Sequence, residues 1–191
     1  MAPPRTEKPL RSDAAERRQA VLAAARRVFT EEGVDVPIER IAQEANVGRA
    51  TVHRNFFDRR GLLLALLDEE LDQFARDLLD ADLERQPMAL FDAFSKLSLN
   101  NSALLPHWQS MNAHEEAFAK LRTKFSGIVS AALPAVLRSG AVRPDLSVAD
   151  IELVAGMLGA ALKGQTVNER QAMTARALDL IKTGVGRESL L

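Results

Sequence analysis

Apolar residues recur through most of the chain at intervals of three and four, the period of helices packed through one stripe, while strict alternation is almost absent. The pattern predicts an all-α protein. Near the N-terminus, Val21, Ala24, Ala25, Val28 and Phe29 form one such stripe, and Gly33 follows where a helix would end. Ile38, Ile41, Ala42 and Ala45 form a second, shorter stripe in which two small residues permit close helix crossing. Pro37 suits a first helical turn, and Asp35 before it can accept from free amides or favour the positive helix end. Asn46, Val47 and Gly48 then supply a turn, with Asn and Gly both tolerant of left-handed backbone. A third helix follows from Arg49 to Phe56.

That third helix has unusual chemistry. Val52 and Phe56 are an i, i+4 pair facing inward, which leaves Arg49, Thr51, His53, Arg54 and Asn55 over the outer surface. Arginine suits guanine edges or phosphates, asparagine suits adenine, and the threonine methyl suits thymine. Two short helices joined by a tight turn, the second cationic and rich in hydrogen-bonding groups, is an arrangement that fits a DNA major groove. An ordinary solvated polar face would show the same periodicity, so the case rests on the surrounding landmarks as well.

Those landmarks resemble the N-terminal domain of the TetR family of repressors. RRQAVLAAARRVFTEEGVDVP is similar to the family's first helix, and NFFDRRGLLLALLDEEL to its fourth, with Asp58 placed to cap and Arg59 where the family carries a lysine or arginine. The resemblance implies an N-terminal three-helix helix-turn-helix DNA-binding domain followed by a C-terminal helical ligand-binding and dimerisation domain. It implies DNA contacts from Arg49, Thr51, His53, Arg54, Asn55 and Arg59, the last to a phosphate. Three positions depart from the pattern. His53 replaces a tyrosine, in a chain that has none; Gly48 replaces a frequent serine, and Asn46 a turn glycine. Histidine can still donate to a phosphate, more strongly when charged, so DNA affinity is expected to rise mildly as pH falls.

Charge agrees with this division. The formal net charge is −1, but through Gly61 twelve Lys/Arg face nine Asp/Glu, whereas the remainder holds thirteen against seventeen. Residues 1–12, with Arg5, Lys8 and Arg11 among Pro3, Pro4 and Pro9, read as an extended, flexible basic arm. The expected organisation is thus arm 1–12, helix-turn-helix domain 13–60 and helical domain 61–191. The absence of cysteine removes disulfides and thiol chemistry, and no apolar run is long enough to span a bilayer. A soluble cytoplasmic protein without membrane attachment is expected.

Beyond residue 57 the periodicity predicts helices over 58–85, 87–100, 102–112, 114–138, 147–165 and 168–185, broken at Pro87, Asn100-Asn101 and the Ser139 to Pro144 turn. Asp145 and Ser147 supply capping chemistry for the fifth of these, and Pro134 predicts a kink or early end in the fourth. The 147–165 segment is apolar over more than half its circumference, which implies a second buried face. A central helix of a monomer would satisfy that, and so would a dimer. In the TetR family the last two helices form a dimeric four-helix bundle, which implies a homodimer through Ile151, Ala155, Gly159, Leu162, Met173, Ala177 and Ile181.

Large side chains crowd residues 88–125. Met88, Phe91, His107, Trp108, Met111, His114 and Phe118 are candidates to line a cavity for a small-molecule effector, although the same residues suit a plain core. His107 and His114 lack i, i+4 spacing and have no cysteine beside them, so no metal is expected. Neither a phosphate-cradling glycine loop nor a nucleophile elbow occurs, and Glu115-Glu116 reads as a solvated helix start. No catalysis and no cofactor are expected. The expected function is a ligand-responsive transcriptional repressor that binds double-stranded DNA as a dimer. The alternative is a helical dimeric interaction or small-molecule-binding module without sequence-specific DNA binding.

Overall fold

A computed structural model describes residues 10–111, 116–160 and 166–186, with side chains from residue 13 onward. Among the described residues the chain forms nine α-helices and no strand. They are α1 (Leu10–Glu32), α2 (Ile38–Glu44), α3 (Arg49–Phe56), α4 (Arg59–Asp80), α5 (Ala89–Asn100), α6 (Leu105–Gln109), α7 (Glu116–Arg138), α8 (Val148–Ala160) and α9 (Val167–Val185). The all-α class expected from periodicity is what the chain adopts. It divides into two compact units, Met1–Leu66 and Leu67–Leu191.

The first unit is a three-helix body joined by the opening of α4. Val21, Leu22, Ala24, Ala25, Val28 and Phe29 of α1 are buried, and they enclose Ile41 and Ala42 of α2 with Val52 and Phe56 of α3. Gly33 ends α1 at φ +90°, where a side chain would be strained. Helix α1 starts at Leu10, three residues inside the segment expected to be an extended arm. At the turn only Asn46 takes left-handed backbone, at φ 52°. Gly48 is extended, φ −71° and ψ 146°, and serves as the N-cap of α3. Pro37 likewise stands just outside α2 as its N-cap, and no side chain caps that end.

The second unit has one core, built from Phe74, Leu78, Leu90, Phe91, Phe94, Val129, Val136, Ile151, Val154, Leu158 and Ile181 among others. Phe74, Phe94 and Phe125 form a ring cluster, with centroids 4.7 Å apart for Phe74–Phe94 and 5.5 Å for Phe94–Phe125. Helix α4 stops at Asp80, short of the expected residue 85, because Asp82 turns back to accept from the Arg85 amide at 3.2 Å. Helix α7 runs through Pro134 to Arg138 without the expected early end. Pro134 is exposed, so the backbone acceptor that it leaves unpaired one turn earlier is on the solvent side. At the start of α8, Ser147 and Asp150 cap one another, at 2.8 Å from the Ser147 amide to the Asp150 carboxylate. Asp145 instead pairs with Arg143 at 2.6 Å. Helix α9 begins on a capping box between Thr166 and Glu169, one residue before the expected start at 168. Its end is pinned by an antiparallel bridge, in which the Arg143 amide donates to the Val185 carbonyl at 2.9 Å.

Candidate nucleic-acid interface

The presentation of α3 follows from which of its residues the core consumes. Val52 and Phe56 are buried, so their side of the helix is fixed inward, and Arg49, His53, Arg54 and Asn55 are exposed on the other. Thr51 is half-buried at the margin. The exposed groups hold one another lightly. Arg49 pairs with Glu39 of α2 at 2.6 Å, Arg54 reaches the Thr51 hydroxyl at 3.4 Å, and the Asn55 amide donates to the Thr51 carbonyl at 2.8 Å. Such exposed bonds exchange at low cost for bonds to a partner.

The scaffold behind α3 is tied by charge. Arg40 of α2 bridges Glu32 at 2.7 Å and Glu44 at 3.0 Å, while Arg27 of α1 also holds Glu44 at 3.0 Å. The hydrogen bonds from Arg40 and Arg27 hold the Glu44 carboxyl below its ordinary value of 4.5. Arg18 lies over the Phe56 ring, 4.5 Å from its centroid, and so braces the buried end of α3.

Arg59 is placed differently from the other predicted DNA contacts. Its terminal nitrogen donates to the carbonyls of Asp35 at 3.0 Å and Val36 at 2.7 Å, and a second terminal nitrogen lies 3.7 Å from the Asp35 carboxylate. It therefore clamps the α1–α2 connection onto the start of α4. Asp35, expected at the N-terminus of α2, is engaged in that clamp. Asp58 does cap α4, accepting from the Gly61 amide at 2.8 Å. Gly61 is required there, because a Cβ would lie 1.8 Å from the Phe56 carbonyl oxygen.

None of the candidate effector residues lines the cavity of about 730 Å³ found in the second unit. Phe91 and Trp108 are buried, Phe91 wholly so within the core. Met88 is half-buried and packs on that core, His107, Met111 and Phe118 are half-buried, and His114 lies outside the described residues. That cavity has two walls. Ala75, Leu78, Leu79 and Leu83 form one wall, and Gly127, Ile128, Ala131, Ala132 and Ala135 of α7 form the other. Its charged margin comprises Asp82, Glu84, Lys124 and Arg138. Lys124 is held by Asp68 at 2.5 Å and Asp72 at 2.7 Å. Burial acts to lower its pKa, but the hydrogen bonds to those two carboxylates outweigh it and raise it above the ordinary lysine value. The sequence did carry a signal for this wall: Gly127, Ala131 and Ala135 recur at i, i+4, i+8 and leave a shallow furrow on α7.

The predicted dimer residues also divide. Ile151 and Ile181 are buried within the protomer's own core, and Gly159 is buried where a Cβ would lie 2.3 Å from the Gln109 side chain. Those three positions turn inward because the core of the second unit draws on one face of both helices. Ala155 and Ala177 are half-buried, Met173 is exposed, and Leu162 lies outside the described residues. The large apolar residues exposed on α8 and α9 are Leu153, Met157, Val167, Met173 and Leu180, with Leu153 64% and Leu180 57% exposed. Between α8 and α9 this face opens into a depression of about 330 Å³ lined by Met157, Leu180 and Gly184 among others.

A three-helix body that displays a cationic third helix is a helix-turn-helix arrangement. Comparison with known proteins finds the same arrangement in bacterial regulators. Residues 21–66 match the bacterial regulatory proteins of the tetR family. An HTH-type transcriptional regulator of Staphylococcus aureus (strain USA300) is 32% identical over 103 residues, covering 50% of this chain and 55% of the relative. The chain thus spans about half the length of the curated relatives it matches. The TetR transcription regulatory protein from Mycobacterium vanbaalenii superposes with a TM-score of 0.66 at 27% identity, over 94% of this chain and 100% of the other. A TetR transcriptional regulator from Streptomyces coelicolor gives 0.65 at 25% identity, over 90% and 99%. Residues 21–66 are thus of the tetR type, and over most of its length the chain is similar to TetR regulators of known structure. No described helix is long and apolar enough to cross a membrane, and no described group of His, Cys, Asp or Glu could hold a metal.

Proposed function

We propose that the protein is a homodimeric, ligand-responsive transcriptional regulator, a repressor that binds a palindromic operator in double-stranded DNA and leaves it when a small effector binds. The observation that carries this reading is α3: its apolar side is consumed by the core, and what remains outward is Arg49, His53, Arg54 and Asn55. Arg49 and Arg54 suit phosphates or guanine, Asn55 suits adenine, and His53 suits a phosphate. Arg59 contributes from behind, by fixing the loop that precedes α2.

A single α3 reads too few base pairs for a regulator to find one site among many, so two copies on one duplex are needed. The apolar α8–α9 face supports pairing, since Leu153, Met157 and Leu180 in water are unfavourable unless another apolar surface covers them. The effector reading rests on the cavity of about 730 Å³, which lies in the size range of sites for drug-sized molecules. Its aliphatic walls and charged margin suit a small apolar or amphipathic compound. Release then follows from the effector's differential affinity for two states of the dimer, because half-site spacing on DNA is geometrically fixed. The cytoplasm, where the DNA is, is the corresponding location.

The test is fluorescence anisotropy of the full chain with duplex recovered from a random-sequence library, across a salt series, against unrelated duplex. Selective, salt-sensitive binding that is lost in the Arg49→Ala, Arg54→Ala double variant is the expected result. Wild-type protein that selects no sequence at any salt concentration would overturn the reading.

A further inference from the structure

Phe57 combines two features that the fold does not need together. Its side chain is 74% exposed, and its backbone sits at φ 67° and ψ −58°. The Asp58 amide closes the turn around it by donating to the Phe56 carbonyl at 2.7 Å. This is the γ-turn of the rare, strained hand, and for a bulky side chain the conformation is a true outlier.

The turn itself has a cause. Phe56 is anchored in the core, Asp58 must begin capping α4 at Gly61, and Gly61 passes so close to the Phe56 carbonyl that no side chain fits between them. The backbone therefore reverses within one residue. Glycine or asparagine would occupy that position at lower cost. The ring, by contrast, stabilises nothing in the core and is held in water, and strain of this kind persists where a site uses it.

The ring sits beside His53, at 5.2 Å between centroids and tilted by 48°. Arg49, His53 and position 57 are spaced at i, i+4 and i+8, so Phe57 extends the exposed row that begins with Arg49. Asp58, the adjacent carboxylate, is turned away to the Gly61 amide. The surface thus sets an apolar plate beside hydrogen-bond donors and a cation. A duplex backbone offers the complement, an apolar deoxyribose face beside each phosphate.

We propose that Phe57 is a DNA-backbone contact whose ring lies on a deoxyribose next to the phosphate approached by His53. The assignment rests on the DNA-binding reading above. It predicts affinity without sequence information, because every nucleotide carries the same sugar. It also predicts affinity without counterion release, because no charge is neutralised.

Phe57→Gly and Phe57→Asn in the full chain test this, with library-selected and unrelated duplexes, a salt series, thermal unfolding and sedimentation. The expected result is about tenfold weaker binding to both duplexes, or about 1.4 kcal/mol. The slope of affinity with salt should be unchanged, and Tm equal to wild type or up to about 4 °C higher as strain is relieved. Unchanged affinity overturns the proposal. So does a lowered Tm accompanying the loss, which makes the ring structural, or a loss confined to one base position, which makes it a base reader. A changed oligomeric state with unchanged DNA binding assigns the ring to a second copy and also overturns it. Wild-type protein that binds no duplex overturns the DNA-binding reading itself, whereas binding that the variants leave intact removes only Phe57.

Discussion

Helix α3 and the α8–α9 pair are each amphipathic, yet they leave opposite chemistry in water. In α3 the two large apolar residues, Val52 and Phe56, are both consumed by the core, and the outward side is cationic and hydrogen-bonding. In α8 and α9 the core takes Ile151, Val154, Leu158 and Ile181, and Leu153, Met157 and Leu180 are left over. A surplus of donors fits an anionic, hydrogen-bonding partner, whereas a surplus of aliphatic area fits a surface like itself. The two remainders therefore fit different partners, which under the proposed function are duplex DNA for one and a second copy for the other.

The largest test of that contrast is to reverse the chemistry of the apolar face. Met157→Asp with Leu180→Asp should leave each protomer helical, since both residues are already exposed. Sedimentation should nevertheless report a monomer, and operator affinity should fall by about a thousandfold as the second recognition helix is uncoupled. A dimer that survives both carboxylates would place the interface elsewhere.

Next is the junction behind α3. Gly61→Ala puts a Cβ 1.8 Å from the Phe56 carbonyl oxygen, and the shift this forces should cost about 3 kcal/mol in chemical denaturation. Wild-type stability in that variant would show that α4 can move away freely. A smaller effect is expected from Arg49→Ala with Arg54→Ala. Thermal stability should be nearly unchanged because both are exposed, while DNA affinity drops about thirtyfold and the salt slope falls by about 0.9 for each phosphate that is no longer neutralised. Equal losses of stability and binding would mean that the two arginines support the fold.

The smallest effect concerns the ion pairs within the first unit. Arg40 and Arg27 depress the Glu44 carboxyl in the folded state, so its contribution is present above its ordinary value of 4.5 and is lost as pH falls through the lower folded value. The difference in stability between wild type and Glu44→Gln should therefore be level above that pH and shrink below it in acid denaturation profiles. A difference that grows with acidity would contradict the depressed carboxyl.

Much of the first unit was legible because its signals are local. The stripes of α1 and α2, the left-handed Asn46 and the inward pair Val52 and Phe56 are each set by residues within a turn or two of one another. Helical period then dictates which residues of α3 remain outside. The clamp from Arg59 to Asp35 and Val36 was not legible, since it joins residues far apart in sequence and a guanidinium serves a carbonyl as readily as a phosphate. Nor was Phe57, whose apolarity in sequence reads as burial.

In the second unit, periodicity gave the helices but not their allegiance. Two apolar sides were evident on 147–165, yet only packing decided that Ile151 and Ile181 face the protomer's core while Met157 and Leu180 face outward. The cavity is a further case. Large side chains suggested residues 88–118, whereas the cavity of about 730 Å³ lies along the small residues Gly127, Ala131 and Ala135. Sequence by itself determined the all-α class, the helix-turn-helix and the chemistry displayed on α3, because these follow from backbone period and side-chain type over short spans. Which apolar residues become core, which are left for a partner and where space remains were decided by tertiary structure alone, because volume is shared among helices distant in the chain.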